Sequence, residues 1–196
     1  MKHFLYAVLT TGVLILLPGW RASAATQAQG SPVLAELEKA ASAESRRCIE
    51  CHSKKSTAVI VEQWATSRHA KNGVGCYECH QAGKNDKDAF EHYGLTISQL
   101  VTPKDCGQCH DQETQEFEAS HHAQAGQLLG SLDNVLGEVV EGVPAANSGC
   151  TQCHGGTVKV LGGGKLDAST WPNEGIGRIN PDGSRGSCSA CHSRHS

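Results

Sequence analysis

The chain has 196 residues and ten cysteines, which fall into five pairs. Two residues separate the members of each pair, and a histidine follows each pair directly. The sites are Cys48-Ile-Glu-Cys51-His52, Cys76-Tyr-Glu-Cys79-His80, Cys106-Gly-Gln-Cys109-His110, Cys150-Thr-Gln-Cys153-His154 and Cys188-Ser-Ala-Cys191-His192, and they use every cysteine. Cys-x-x-Cys-His is the attachment pattern of c-type haem. Its two sulfurs form thioethers with the porphyrin vinyl groups, and the histidine becomes the proximal ligand of the iron. Other chemistries fit less well. Zinc sites use Cys-x-x-Cys pairs but do not require a histidine after each one. A thioredoxin-like motif occurs singly and near a βαβ pattern, which is missing here. A disulfide framework has no reason to repeat a two-residue gap five times. Five covalent haem c groups, each with its iron, are therefore expected.

Each iron has a second axial position to fill. The only methionine is Met1, so His/Met ligation is not available downstream of it. That leaves histidine or an open site. Outside the motifs, and past His3, the histidines are His69, His92, His121, His122 and His195. His121 and His122 are neighbours, which on a helix point about 100° apart, so they serve one iron each or only one of them serves. The count fits four bis-histidine haems and one without an internal histidine. A six-coordinate haem mostly moves electrons, whereas an open one can bind a small molecule.

These ligands need elements to carry them. Residues 1–24 read as a secretory signal peptide: Lys2 and His3, an apolar run from Phe4 to Leu17, and a small-residue Ala22-Ser23-Ala24 cleavage site. Export agrees with covalent haem attachment and predicts a periplasmic location. Residues 25–47 form a polar leader followed by a helix from Val33 to Arg47, and residues 48–196 form the five-haem domain. Apolar periodicity predicts further helices over Thr57–Lys71 and Asp111–Leu129, the latter the longest. Leu132–Val140 continues in helical style, and Phe90–Tyr93 reads as part of a short helical turn. Pro144–Gly149 reads as a linker, and Thr157–Leu161 as one short strand. The stretch after His154 is rich in glycine turns. The spacing of the motifs is irregular, so the chain is not a strict tandem repeat.

Composition supports a mostly α fold with few or no strands and with haems as its core. Past residue 24 the aromatics are Trp64, Tyr77, Phe90, Tyr93, Phe117 and Trp171 only, too few large apolar groups for a self-sufficient interior. Five porphyrins supply the missing apolar surface. The formal charge of −3 excludes a nucleic-acid binder that works by neutralising phosphate, and low hydropathy past the leader excludes a polytopic membrane protein.

The residues around the motifs resemble the hydroxylamine oxidoreductase family of multihaem cytochromes. The resemblance rests on Gly73-Val74-Gly75 with Cys76 to His80, on Asp88-Ala89-Phe90-Glu91-His92, and on Pro103-Lys104-Asp105-Cys106. It is strongest over Gly175 to His195, where Gly-Ile-Gly-Arg-Ile-Asn-Pro-Asp-Gly-Ser leads into the fifth motif. The resemblance implies an octahaem subunit, assembled as a homotrimer, that oxidises hydroxylamine to nitric oxide or nitrite and passes electrons to a partner cytochrome. It implies that the fourth haem, on Cys150, Cys153 and His154, is catalytic and lacks a distal protein ligand. By position it offers Asp182 and His195 as the acid–base pair, His195 being equally a candidate ligand to a neighbouring haem. With five motifs the chain looks like the N-terminal half of that family, which leaves room for a separate C-terminal half. The family's cross-linking tyrosine has no counterpart in Tyr77 or Tyr93, and relatives without it run reductively on nitrite or hydroxylamine. A non-catalytic, periplasmic pentahaem wire is the competing expectation.

Overall fold

The computed structural model describes residues 32–54, 56–128 and 143–195. The expected leader and the helix over 132–140 lie outside these residues. The chain begins with α1 (Pro32–Ala40) and α2 (Ala43–His52), followed by α3 (Ala58–Thr66), α4 (Arg68–Lys71) and α5 (Cys76–His80). A hairpin of β1 (Ala89–His92) and β2 (Leu95–Ser98) comes next. After it lie α6 (Pro103–Cys106), α7 (Asp111–Glu118), α8 (His121–Leu128) and α9 (Val143–His154). The remainder is turns, with 3-10 segments at Gly162–Gly164 and Cys188–Ala190. The fold is mostly helical, with one small two-stranded sheet.

Serine divides the long helices expected from periodicity. Ser42 ends the first pattern and caps α2, its side chain accepting from Ser45 N at 3.1 Å. Ser67, with ψ 161°, separates α3 from α4 and accepts from Ala70 N at 3.0 Å. Between α7 and α8, Ser120 turns its hydroxyl back to Phe117 O at 2.6 Å. A serine hydroxyl offers the backbone an alternative partner, so an apolar stripe can run on while the helix restarts at an angle.

Two expectations are corrected outright. Phe90–Tyr93 is not helical: it forms β1 and its turn, with Phe90 opposite Ile97 and His92 opposite Leu95. Tyr93 and Gly94 both have positive φ, 50° and 80°, the backbone of a type I′ turn. Pro144–Gly149 is not a linker but the body of α9, which runs into the fourth motif. The strand expected over Thr157–Leu161 is reduced to isolated bridges, Thr157 to Ile179 and Val160 to Leu166.

The protein core is thin. One cluster joins Ala41, Ile49, Val61, Trp64 and Ala70, and Trp64 Nε1 donates to Val74 O at 2.9 Å. A second joins Leu100, Val158 and Leu166. The glycine-rich C-terminal segment is organised around Arg178, which is 2% exposed. Its Nε donates to Asn180 Oδ1 at 2.6 Å, Nη1 to Asn173 O at 3.2 Å and Nη2 to Val101 O at 2.7 Å, and its Cζ lies 5.6 Å from the Trp171 ring centroid. Burial lowers its pKa to about 10, which leaves it cationic at neutral pH. Gly155, at φ 89°, lets the exit of α9 pass directly under Gly177 and Arg178, where a Cβ would collide with backbone.

Arg178→Met would leave three buried acceptors without their donor. The expected loss is about 3 kcal/mol. At this chain length that is a fall in Tm of about 6–12 °C, to be checked by thermal unfolding of the haem-loaded protein.

Candidate haem centres

A gap of two residues places both cysteines of a pair on one side of a single helical turn. The fold supplies that turn at each motif. Cys48, Cys51 and His52 end α2, and α5 is the second motif from end to end. Cys106 ends α6, with Cys109 and His110 in the bend before α7. Cys150, Cys153 and His154 finish α9, and Cys188 opens a 3-10 turn that leads to Cys191 and His192. The thiols are free and stand for the sulfurs that would carry the thioethers.

The histidines meet in pairs. The rings of His52 and His92 lie 6.3 Å apart between centroids, those of His69 and His110 6.2 Å, and those of His80 and His195 6.3 Å. Each pair joins one motif histidine to one from elsewhere in the chain. An imidazole nitrogen binds a first-row metal at about 2.0–2.1 Å and sits about 1.1 Å from its own ring centre. Two imidazoles trans across one metal therefore have centroids about 6.3 Å apart. The spacing fits an iron between each pair. Among the described residues, no three His, Cys, Asp or Glu side chains gather as they would around a zinc.

Hydrogen bonds orient the proximal rings. His80 Nδ1 lies 2.8 Å from Ser98 O, and a carbonyl only accepts, so Nδ1 carries the proton and Nε2 is left for a metal. His52 Nδ1 meets Thr57 Oγ1 at 2.9 Å. His195, at φ 64°, follows Arg194, which is ion-paired with Glu174. Burial, then the nearby His80 and Arg194, lower the His195 pKa, favouring the neutral ring that a metal ligand requires.

Of the histidines singled out from the sequence, His69, His92 and His195 face motif histidines. His121 and His122 are exposed on α8, and among the described residues neither forms a ring pair. His154 and His192 are likewise exposed and have no facing ring among those residues. Asp182 is hydrogen-bonded to Thr102 and Ser184 rather than to a histidine. Its Oδ2 accepts from Thr102 Oγ1 at 2.8 Å, and its Oδ1 from Ser184 N at 2.9 Å and Ser184 Oγ at 2.7 Å.

The motifs also touch one another. Interaction between the Cys48 and Cys76 side chains lowers Cys48 to about 7 and, with burial, raises Cys76. Cys106 and Cys188 form a matching pair, Cys188 lowered to about 7 and Cys106 raised. Burial raises Cys79, with added pressure from Glu78, Asp105 and Cys109. These directions belong to the thiols before haem attachment.

One set of positioning residues carried no signal in the motif pattern. Ser45, fully buried on α2, donates to Glu78 Oε2 at 2.7 Å and accepts from Tyr77 N at 2.8 Å, both on α5. Glu78 Oε2 also accepts from Gly75 N at 2.9 Å. Burial alone would raise the Glu78 carboxyl, but hydrogen bonds from Ser42, Ser45 and the Gly75 N–H outweigh it and lower it. This lock fixes the first motif against the second.

A family model described as "Cytochrome c554 and c-prime" matches residues 20–81 and 105–193. The chain belongs to the cytochrome c554 and c-prime family. It is a multihaem c-type cytochrome, and covalent haem is the cofactor that this family implies. A solved structure titled "Hypothetical multiheme protein" superimposes with a TM-score of 0.70 at 31% sequence identity, covering 83% of this chain and 42% of that one. The chain thus spans less than half the length of that relative. No curated protein matches it.

Ser45→Ala would remove two links between the first two motifs of this cytochrome. The expected cost is about 1–2 kcal/mol, and differential scanning calorimetry of the holoprotein should show a Tm lower by about 2–8 °C.

Proposed function

We propose that the chain is an exported electron-transfer cytochrome carrying five haem c groups. Three are closed by paired histidines: the first by His52 and His92, the second by His80 and His195, the third by His110 and His69. The observation that carries this reading is the spacing of 6.2–6.3 Å in all three ring pairs. Haem in these positions supplies a one-electron couple, and where an axial position is free it supplies a place for a small ligand. The chain's own residues hold the rings at the required separation, fix the tautomer of His80 and set the order of the centres. Thiol contacts join the first motif to the second and the third to the fifth, and Cys79 senses Cys109 across the second and third. The fourth motif joins the fifth through backbone: Gly177 N donates to His154 O at 2.9 Å and Ser187 N to Ile176 O at 3.1 Å. The reading is a continuous path that serves a partner cytochrome, in the periplasm, from a homo-oligomer or an assembly with a second haem-bearing polypeptide.

A second reading is chemistry on a nitrogen compound at the haem of His154, either hydroxylamine oxidation or the reduction of nitrite or hydroxylamine. It is favoured by the lack of a facing ring for His154 among the described residues. The acid–base partners suggested by resemblance give it less support, because Asp182 is engaged by Thr102 and Ser184, and His195 faces His80.

Electron paramagnetic resonance of the oxidised protein tests the first reading. The angle between axial ring planes sets the splitting of the iron π orbitals, and the pairs have angles of 40°, 75° and 20°. The 20° pair should give a rhombic low-spin signal, the 75° pair a highly anisotropic one, and the 40° pair one in between. His92→Ala, His69→Ala and His195→Ala should each convert one of these to high spin, while His121→Ala and His122→Ala leave all three intact. A spectrum with no histidine-dependent low-spin signals would overturn the assignment.

Titration with cyanide, nitric oxide and hydroxylamine tests the second reading. High-spin haem on His154 or His192 should bind all three. A protein that is entirely low-spin and ignores them is a wire only.

A further inference from the structure

We propose that Arg47 is a positioning residue for the first haem site: it clamps the β1–β2 hairpin and so keeps His92 seated opposite His52. This rests on the His52/His92 ligation proposed above. His92 is the last residue of a four-residue strand in a two-stranded sheet. Such a hairpin is marginally stable by itself. Its base is well anchored. Ser98 Oγ hydrogen-bonds Asp88, and Leu100 N donates to Ser98 Oγ at 3.0 Å. The middle of β2 is held from outside by Ala82 N, which donates to Thr96 O at 3.2 Å. The far end, which bears the ligand, is exposed, Tyr93 being 74% accessible.

At that end Arg47 Nη2 donates to Tyr93 O at 2.6 Å. Arg47 lies on α2, directly before Cys48 and five positions before His52. One helix thus carries both sulfurs, the proximal ring and the clamp on the distal ring. The clamp acts on a backbone that resists it. Tyr93 occupies the left-handed region at φ 50°, which is unfavourable for a residue with a side chain. The Tyr93 ring stands edge-on to His92 at 4.8 Å, and Phe90 stands edge-on to it at 6.1 Å, so the turn conformation and the imidazole orientation are coupled. Release of Tyr93 O frees the turn, and the turn carries the ring.

The test uses haem-loaded protein, with total haem per chain measured first. Carbon monoxide is mixed with the dithionite-reduced protein, and the phase belonging to the first haem is identified as the one that His92→Ala makes fast. In Arg47→Met that phase should accelerate about three- to tenfold, the worth of one solvent-exposed hydrogen bond. The resonance signal of the 40° pair should broaden or shift, with the other two signals unchanged. If Arg47→Met does not accumulate with its full haem complement, Arg47→Lys is read in the same assay, with an expected acceleration of about two- to threefold from the loss of the forked donor. Wild-type rates and signals in the Arg47 variant, with His92→Ala still opening the site, overturn the clamp and leave the ligation reading intact. No effect of His92→Ala overturns the ligation reading, and the clamp with it.

Discussion

The ligation proposed above depends on one constraint, two imidazole rings held about 6.3 Å apart between centroids. Rings can touch at that separation without a metal, but here it recurs in three pairs, each joining a motif histidine to one from elsewhere in the chain, as an iron between them would require. A metal and its flat ligand between the rings would add dispersion contacts that a gap forfeits. The chain meets the condition three times with different parts: a helix end against a hairpin, a five-residue helix against the C-terminal turn, and a four-residue helix against an interhelical bend. None of these elements is long enough to be self-supporting in water. Their short length makes sense if the prosthetic groups, rather than the helices, are the rigid bodies of the fold.

The apolar clusters agree. The buried hydrophobics among the described residues form two small groups, and several are alanines. Burial of a few alanines and isolated aliphatics cannot offset the backbone entropy of a chain this long. The buried polar groups are instead directional. Ser45 with Glu78 joins the first two motifs, Thr102 with Asp105 and Asp182 joins the third to the C-terminal loop, and Arg178 gathers that loop around itself. Each holds one segment in a fixed orientation to another as well as contributing stability.

The attachment sites were legible because covalent chemistry demands fixed residue types at fixed spacing. The candidate distal ligands were legible only as a set, since any of five histidines could serve and pairing depends on tertiary contact. His195, three residues past His192, faces not its own motif but His80, because the backbone turns at φ 64°. The helix content was readable from periodicity, but the breaks were not, because Ser42, Ser67 and Ser120 interrupt the backbone without interrupting the apolar stripe. The hairpin was missed for a related reason. Its turn is Tyr93-Gly94 rather than the asparagine–glycine that usually announces a type I′ turn, and its strands are only four residues long. Nothing in sequence order links Arg47 to Tyr93, which are 46 positions apart.

The thiol contacts bear on how such a chain is made. Cys48 touches Cys76, and Cys106 touches Cys188, each contact joining two different motifs. Were the bare polypeptide to collapse to this arrangement in an oxidising compartment, the neighbours poised for bond formation would be the wrong ones, since a cystine between motifs would consume one sulfur from each of two haem sites. With haem c in these motifs and export to such a compartment, a reductant and the ligation machinery would have to reach the chain while it is still extended, and folding would follow the porphyrins.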